Sequence, residues 1–273
     1  MRETGLASVA ILAFCACGPS SRDHGPDAGS GSQADASTGG GDGSNAAQTY
    51  VYAHTSSTLY RIDPDTLAVQ MIAAFDWGSV GTDQMTDIAV DKNGVMIGVS
   101  FDRVYRVDPT NAKTTLLSNS LDGSFNGLSF VPATMLGQTG DDVLVGTHGA
   151  DGNVYRIDPM TGSATSIGNM GAYTSSGDLV AVDGFGTVQT ANGLASDQLV
   201  RLAPMTFAAS AIGGGTGYGQ IWGVAFWKNK IYGFTNGGQF VLIDPTTGGA
   251  MMVKNTGVNW WGAGVTTVAP ILQ

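Results

Sequence analysis

The sequence predicts an all-β fold, a five-bladed β-propeller occupying residues 48–273. Three observations predict it. A strand-like motif recurs five times at blade-length intervals, an apolar segment rich in Ala and Gly alternates with it, and the last of those segments stands alone at the C-terminus.

The five copies are Leu59-Tyr-Arg-Ile-Asp-Pro64, Val104-Tyr-Arg-Val-Asp-Pro109, Val154-Tyr-Arg-Ile-Asp-Pro159, Leu199-Val-Arg-Leu-Ala-Pro204 and Phe240-Val-Leu-Ile-Asp-Pro245. From proline to proline they lie 45, 50, 45 and 41 residues apart, the length of a four-stranded blade. Each copy alternates like a strand and stops at Pro, which has no N–H for a ladder. Turn residues follow, then a short strand such as Lys113 to Leu117.

The alternating segments are Asp87-Ile-Ala-Val-Asp91, Gly127-Leu-Ser-Phe130, Leu179-Val-Ala-Val-Asp183, Gly223-Val-Ala-Phe226 and Gly262-Ala-Gly-Val-Thr266. Small residues suit the crowded strand nearest a propeller axis. The first Tyr-Arg copy has no such segment before it, so Gly262 to Thr267 is expected to supply the inner strand of the blade begun by Thr49 to Ala53. That closure removes both open edges of the array.

These repeats resemble the Ile-Asp-Pro-x-Thr-Gly type of exported bacterial propellers, including the group related to the YVTN repeat family. The resemblance covers most of residues 49–268 and implies a fold, with no catalytic residue to carry over.

At 42% hydrophobic, 273 residues can bury one sizeable core, and 41 glycines suit a turn-rich fold. Leu6 to Cys17 is an apolar run of signal-peptide length, shorter than the roughly 20 residues a spanning helix needs. Phe14-Cys15-Ala16-Cys17-Gly18 resembles a bacterial lipobox, which implies a leader over 1–16 and a lipidated Cys17. The expected location is the cell envelope, at the outer membrane or cell surface. Without lipidation the chain is expected to be secreted. Both cysteines lie in this segment, so a mature domain has no disulfide.

Residues 17–47 are Gly, Ser, Ala and Asp with almost nothing apolar, a composition expected to form a disordered tether. The whole chain carries −10. Setting aside Arg2, Glu3, Arg22, Asp23, Asp27, Asp35 and Asp42 leaves ten basic and seventeen acidic residues. An acidic domain without a basic stripe is a poor nucleic-acid binder, so no nucleic-acid partner is expected, and a monomer is expected.

In a propeller, the loops entering the inner strands and those leaving the second strands share one face around the channel. Aligning the inner strands places Thr86, Asn126, Asp178, Trp222 and Trp261 at that mouth, with Asp178 open to a shift of one position. The ends of the second strands bring His54, Ser100, His148, Asn192 and Asn236 to the same face. Mixed polar and aromatic groups there suit a small polar ligand. The competing structural roles are blade packing for the tryptophans, turns for Asn126, Asn192 and Asn236, and strand-end positions for the histidines. The recurrent Arg61, Arg106, Arg156 and Arg201 are expected to make blade-stabilising hydrogen bonds. Asp141, Asp142, Asp151 and Asn153 read as turns.

The only glutamate is Glu3, so no Asp/Asp/Glu glycosidase set can be assembled in the domain, although a pair of aspartates remains possible. No mature cysteine, G-x-S-x-G elbow or P-loop is present. The leading expectation is therefore an envelope-anchored binding or interaction module with its ligand site at the channel mouth, needing no cofactor. A glycan or a protein is its expected ligand, a neutral hydroxyl-rich molecule in particular. The alternatives are a lectin-like propeller and a metal-assisted hydrolase or lyase using His54, His148 and Asp178.

Overall fold

A computed structural model describes residues 51–272. The leader, Cys17 and the tether fall outside the described residues. Within them the chain forms five four-stranded antiparallel sheets.

Blade I begins with β1 (Val51–His54), β2 (Thr58–Ile62) and β3 (Val69–Ala74). Blade II holds β4 (Asp87–Val90), β5 (Met96–Val99), β6 (Val104–Val107) and β7 (Thr114–Ser118). Blade III holds β8 (Gly127–Val131), β9 (Val143–Thr147), β10 (Asn153–Ile157) and β11 (Ala164–Asn169). Blade IV holds β12 (Ser175–Val182), β13 (Gly186–Ala191), β14 (Gln198–Leu202) and β15 (Ala209–Ala211). Blade V holds β16 (Ile221–Trp227), β17 (Lys230–Thr235), β18 (Gln239–Ile243) and β19 (Ala250–Asn255). The last strand, β20 (Gly262–Gly264), returns to blade I and pairs with β1 through Tyr52–Gly264, Ala53–Ala263 and His54–Gly262. Ring closure thus follows the scheme the repeat order predicts.

The Asp-Pro turn that ends each third strand has a common mechanism. Asp63 Oδ1 accepts the N–H groups of Asp65 and Thr66, and Asp158 and Asp244 do the same for Met160 with Thr161 and for Thr246 with Thr247. These backbone donors hold the Asp63 and Asp244 carboxyls below the usual carboxylate range. Four residues after the aspartate the backbone must turn left-handed, at Leu67, Ala112, Gly162 and Gly248. Phe207 adopts the same conformation in the copy where Ala203 replaces the aspartate. Glycine does this without strain in two blades; in the others the side-chain identity costs about 1 kcal/mol that the turn must offset.

Side chains of neighbouring blades interlock between the sheets. Trp260 is fully buried, edge-on to Tyr60 at 5.0 Å and to Phe234 at 5.4 Å, so it wedges blade V against blade I. Nearer the axis the spacing is so close that a Cβ on Gly177 would collide with the Ile221 carbonyl, and one on Gly223 with the Gly262 backbone. That crowding is the physical reason for Ala and Gly in the inner strands.

Beyond β20 the chain crosses the lower end of the channel as a strap. Thr266 Oγ1 donates to the Asp91 carbonyl, Thr267 Oγ1 to Asp142 Oδ2, Asp183 N to the Thr267 carbonyl and Lys228 N to the Pro270 carbonyl. These four bonds reach blades II, III, IV and V in turn. Asp142, which also accepts from Lys92 N at 2.8 Å, is therefore a structural anchor of the strap. The recurrent arginines divide: Arg61 donates to Gln70 Oε1 and Arg201 to the Phe185 carbonyl, while Arg106 and Arg156 face solvent.

Candidate functional site

The inner strands bring their N-terminal ends together at the upper mouth of the channel. A cavity of about 340 Å³ opens there, lined by Thr86, Phe101, Phe125, Asn126, Ser176, Trp222 and Trp261. Four of the positions predicted from strand alignment, Thr86, Asn126, Trp222 and Trp261, are among them. The two indoles stand perpendicular, 87° apart with centroids at 6.3 Å.

Polar groups in this wall are unevenly committed. Asn126 Nδ2 donates to the Ser175 carbonyl at 3.1 Å, and Thr86 Oγ1 donates to the Val99 carbonyl at 3.0 Å. Asn126 Oδ1 is buried and has no hydrogen-bond partner, whereas the buried Ser176 hydroxyl lies against the Asp197 carboxyl and donates to it. Buried polar atoms are nearly always satisfied, so Asn126 Oδ1 marks a place where a ligand or solvent atom belongs.

The blade IV position differs from expectation. Between the Ser175–Ala191 and Leu179–Gln189 pairs a β-bulge gives β12 two extra residues. Ser176 takes the mouth position and Asp178 turns into the axis, fully buried. His54 is likewise displaced by one residue. It pairs with Gly262 as Val99 pairs with Asp87 and Thr147 with Gly127, so it points inward below the mouth. Thr55 occupies the rim position equivalent to Ser100 and His148.

Beneath the cavity, three buried ionisable groups meet. Asp178 accepts from Leu179 N at 2.6 Å, from Val224 N at 2.9 Å and from Leu128 N at 3.4 Å, joining blades III, IV and V. Asp87 of blade II accepts from Ile88 N at 2.8 Å and interacts directly with Asp178, while its Oδ2 has no donor. His54 of blade I places Nε2 3.7 Å from Asp87 Oδ1. Its Nδ1–H donates to the Thr55 carbonyl at 2.9 Å, which leaves Nε2 as a bare acceptor.

Burial pushes both carboxyls well above the usual aspartate range, and for Asp178 repulsion by Asp87 adds to it. Burial also lowers His54 to about 4, so the imidazole is neutral near pH 7. Two carboxyls in contact away from water cannot both ionise cheaply, so the pair retains a proton to higher pH than free aspartates do. Gly262 is required at this point because a Cβ would strike both Asp87 Oδ1 and His54 Nε2.

His148 does not join this group. Its ring lies 4.9 Å from Phe125 and 4.7 Å from Tyr155, and Nδ1 is 3.8 Å from Asp151. The set expected for a metal-assisted enzyme, His54, His148 and Asp178, therefore does not converge. Among the described residues no group of three or more His, Cys, Asp or Glu is arranged to hold a metal ion. Asn192 and Asn236 act as clamps on backbone carbonyls, of Ser175 and Trp260 respectively.

Sequence reasoning missed Ser176, Asp87, Phe101 and Phe125. The small residues Ser176-Gly177 before Asp178 were the available signal for the first. The phenylalanines come from loops whose lengths differ between blades, where alignment has no purchase.

The fold is that of a five-bladed β-propeller, and solved structures agree. A symmetrical protein from work on the de novo evolutionary emergence of such proteins under folding constraints superposes with a TM-score of 0.50 at 18% identity, over 82% of this chain and 100% of that one. A chain of the nidogen/laminin complex gives 0.50 at 9% identity, with the same coverages of 82% and 100%. At these identities the likeness is one of fold. No protein-family model and no curated protein sequence matches the chain.

Proposed function

We propose that this protein is a binding module displayed at the cell envelope, whose ligand enters the channel-mouth cavity. The observation that carries the reading is the cavity wall itself, two perpendicular indoles beside the unpartnered Asn126 Oδ1. A concave, mostly apolar wall with a few convergent polar atoms is the usual form of a small-ligand site. The strap is bonded to blades II to V at the other end of the channel, and the cavity lies at the mouth, the side to which ligand entry is assigned.

The test is a ligand panel followed by tryptophan emission on the full chain, comparing wild type with Trp222→Ala and Asn236→Ala. Trp222→Ala is expected to weaken the bound member by about tenfold or more, and Asn236→Ala, outside the cavity, by less than about twofold. A panel hit bound equally by wild type, Trp222→Ala and Trp261→Ala would place the ligand elsewhere.

Display at the envelope rests on the lipobox-like segment and the tether composition. Cys17→Ser is expected to abolish metabolic labelling with a fatty acid and release the protein from the membrane fraction. Labelling that persists in Cys17→Ser and disappears in Cys15→Ser would move the processing site.

A further inference from the structure

We infer that the channel-mouth cavity recognises a small organic cation, an alkylammonium group. The inference rests on the binding-module reading above and adds the chemical class of the ligand.

Four of the seven lining residues are aromatic: Phe101, Phe125, Trp222 and Trp261. Their ring faces carry negative electrostatic potential, with tryptophan the strongest. No lysine or arginine lines the cavity. The arginine next along the Phe101 loop, Arg103, is committed to Asp83 at 3.0 Å and Asp102 at 3.6 Å.

Carboxyls adjoin almost every lining segment. Asp87, which follows Thr86, and Asp178, two residues beyond Ser176, form the axial pair that retains a proton; Asp102, which follows Phe101, is offset by Arg103; and Asp197 accepts the N–H of Ile221 beside Trp222 at 2.7 Å. The chain as a whole carries −10. A cleft walled by apolar groups focuses such a field onto its occupant.

Hydrogen-bonding capacity points the same way. With Asn126 Nδ2 and the Thr86 and Ser176 hydroxyls already donating inside the protein, the free group of Asn126 is an acceptor. A ligand must bring donors or positive charge, and an anion would meet acceptors and carboxyls. A sugar ring would bury several hydroxyls against a wall offering only three neutral polar side chains, and each unpaired hydroxyl is costly. An alkylammonium ion sets its carbon atoms against the rings and its charge over their faces.

The experiment compares choline with 3,3-dimethylbutan-1-ol, its neutral isostere, by calorimetry and tryptophan emission on the full chain, with a neutral sugar panel alongside. Choline is expected to bind saturably and at least about tenfold tighter than the isostere. That preference should vanish in Trp222→Leu and Trp261→Leu, which keep an apolar side chain and lose the π face; circular dichroism checks that both variants fold. Phosphatidylcholine vesicles carry the same head group, so co-sedimentation assigns the cation to a lipid and its absence to a free solute.

Equal binding of choline and the isostere, or a choline preference retained in both variants, overturns the inference. A neutral sugar that binds with dependence on Trp222 overturns it while leaving the binding-module reading intact. Failure of every probe to bind overturns both.

Discussion

Deleting Trp261–Gln273 is expected to abolish cooperative unfolding and drive the protein to aggregate. The deletion removes β20 and with it the three residue pairs that join the last strand to β1. It also removes the Trp261 N–H bond to the His54 carbonyl at 2.8 Å and the buried side chains of Ala263, Val265, Thr266, Thr267 and Ala269. The inner edge of blade I would then face an open channel, presenting unpaired N–H and C=O groups to other chains. Loss of the strap removes contacts to blades II, III, IV and V in the same step, so no blade is left to compensate. A shorter deletion, Val268–Gln273, keeps β20 and both strap threonines and loses the Lys228–Pro270 bond, the Ala269–Thr266 bond and the buried Ala269 side chain. It is expected to cost about 2–3 kcal/mol and leave a single transition. Calorimetry and light scattering on the two truncations check this, and a soluble long truncation with the wild-type transition would contradict closure by β20.

The architecture could be read from sequence because each blade repeats the same physical solution. An Asp-Pro turn stops each third strand except in the Ala203-Pro204 copy, and crowding forces Ala and Gly into each inner strand, so the spacing and order of these two signals reveal the ring. The mouth was readable only as far as the repeats stay in register. Thr86, Asn126 and Trp261 sit one residue ahead of their strands, Trp222 is the second residue of β16, and all four were found by alignment. Asp178 was misplaced because a β-bulge adds residues without altering the local apolar pattern. His54 was misplaced because its partner strand comes from the other end of the chain, so blade I cannot be aligned by its own sequence. Asp87 gave no signal, since Asp at the head of a small apolar strand looks like a turn residue until the fold sets it against Asp178. The packing role considered for Trp261 belongs to its neighbour Trp260, and a one-residue phase in an irregular segment decides which indole is buried.

Asp87→Asn is expected to flatten the alkaline side of the stability–pH profile, and Asp178→Ala to destabilise the fold throughout. Because burial raises both native carboxyls, the folded protein keeps a proton that the unfolded chain has released. The pair's contribution is complete below the unfolded value of 3.8 and is lost as pH climbs through the raised native titration. His54 works in the opposite direction. Its native value of about 4 lies below the unfolded 6.5, so its contribution is complete above 6.5 and is lost as pH falls toward 4. At about 1.4 kcal/mol per unit, that acid-side loss is about 3 kcal/mol. Asp87→Asn replaces the unpaired Oδ2 by an amide that can donate to Asp178 at any pH. The alkaline decline should shrink to the part that burial of Asp178 alone causes, beside the acid limb of His54. Asp178→Ala strands the N–H groups of Leu128, Leu179 and Val224 in the axis and is expected to cost on the order of 3–5 kcal/mol. Urea unfolding of the three proteins from about pH 4 to about pH 9 measures both effects. An unchanged alkaline slope in Asp87→Asn would mean that the axial pair holds no proton, and an Asp178→Ala loss below about 1 kcal/mol would mean that water reaches those three amides.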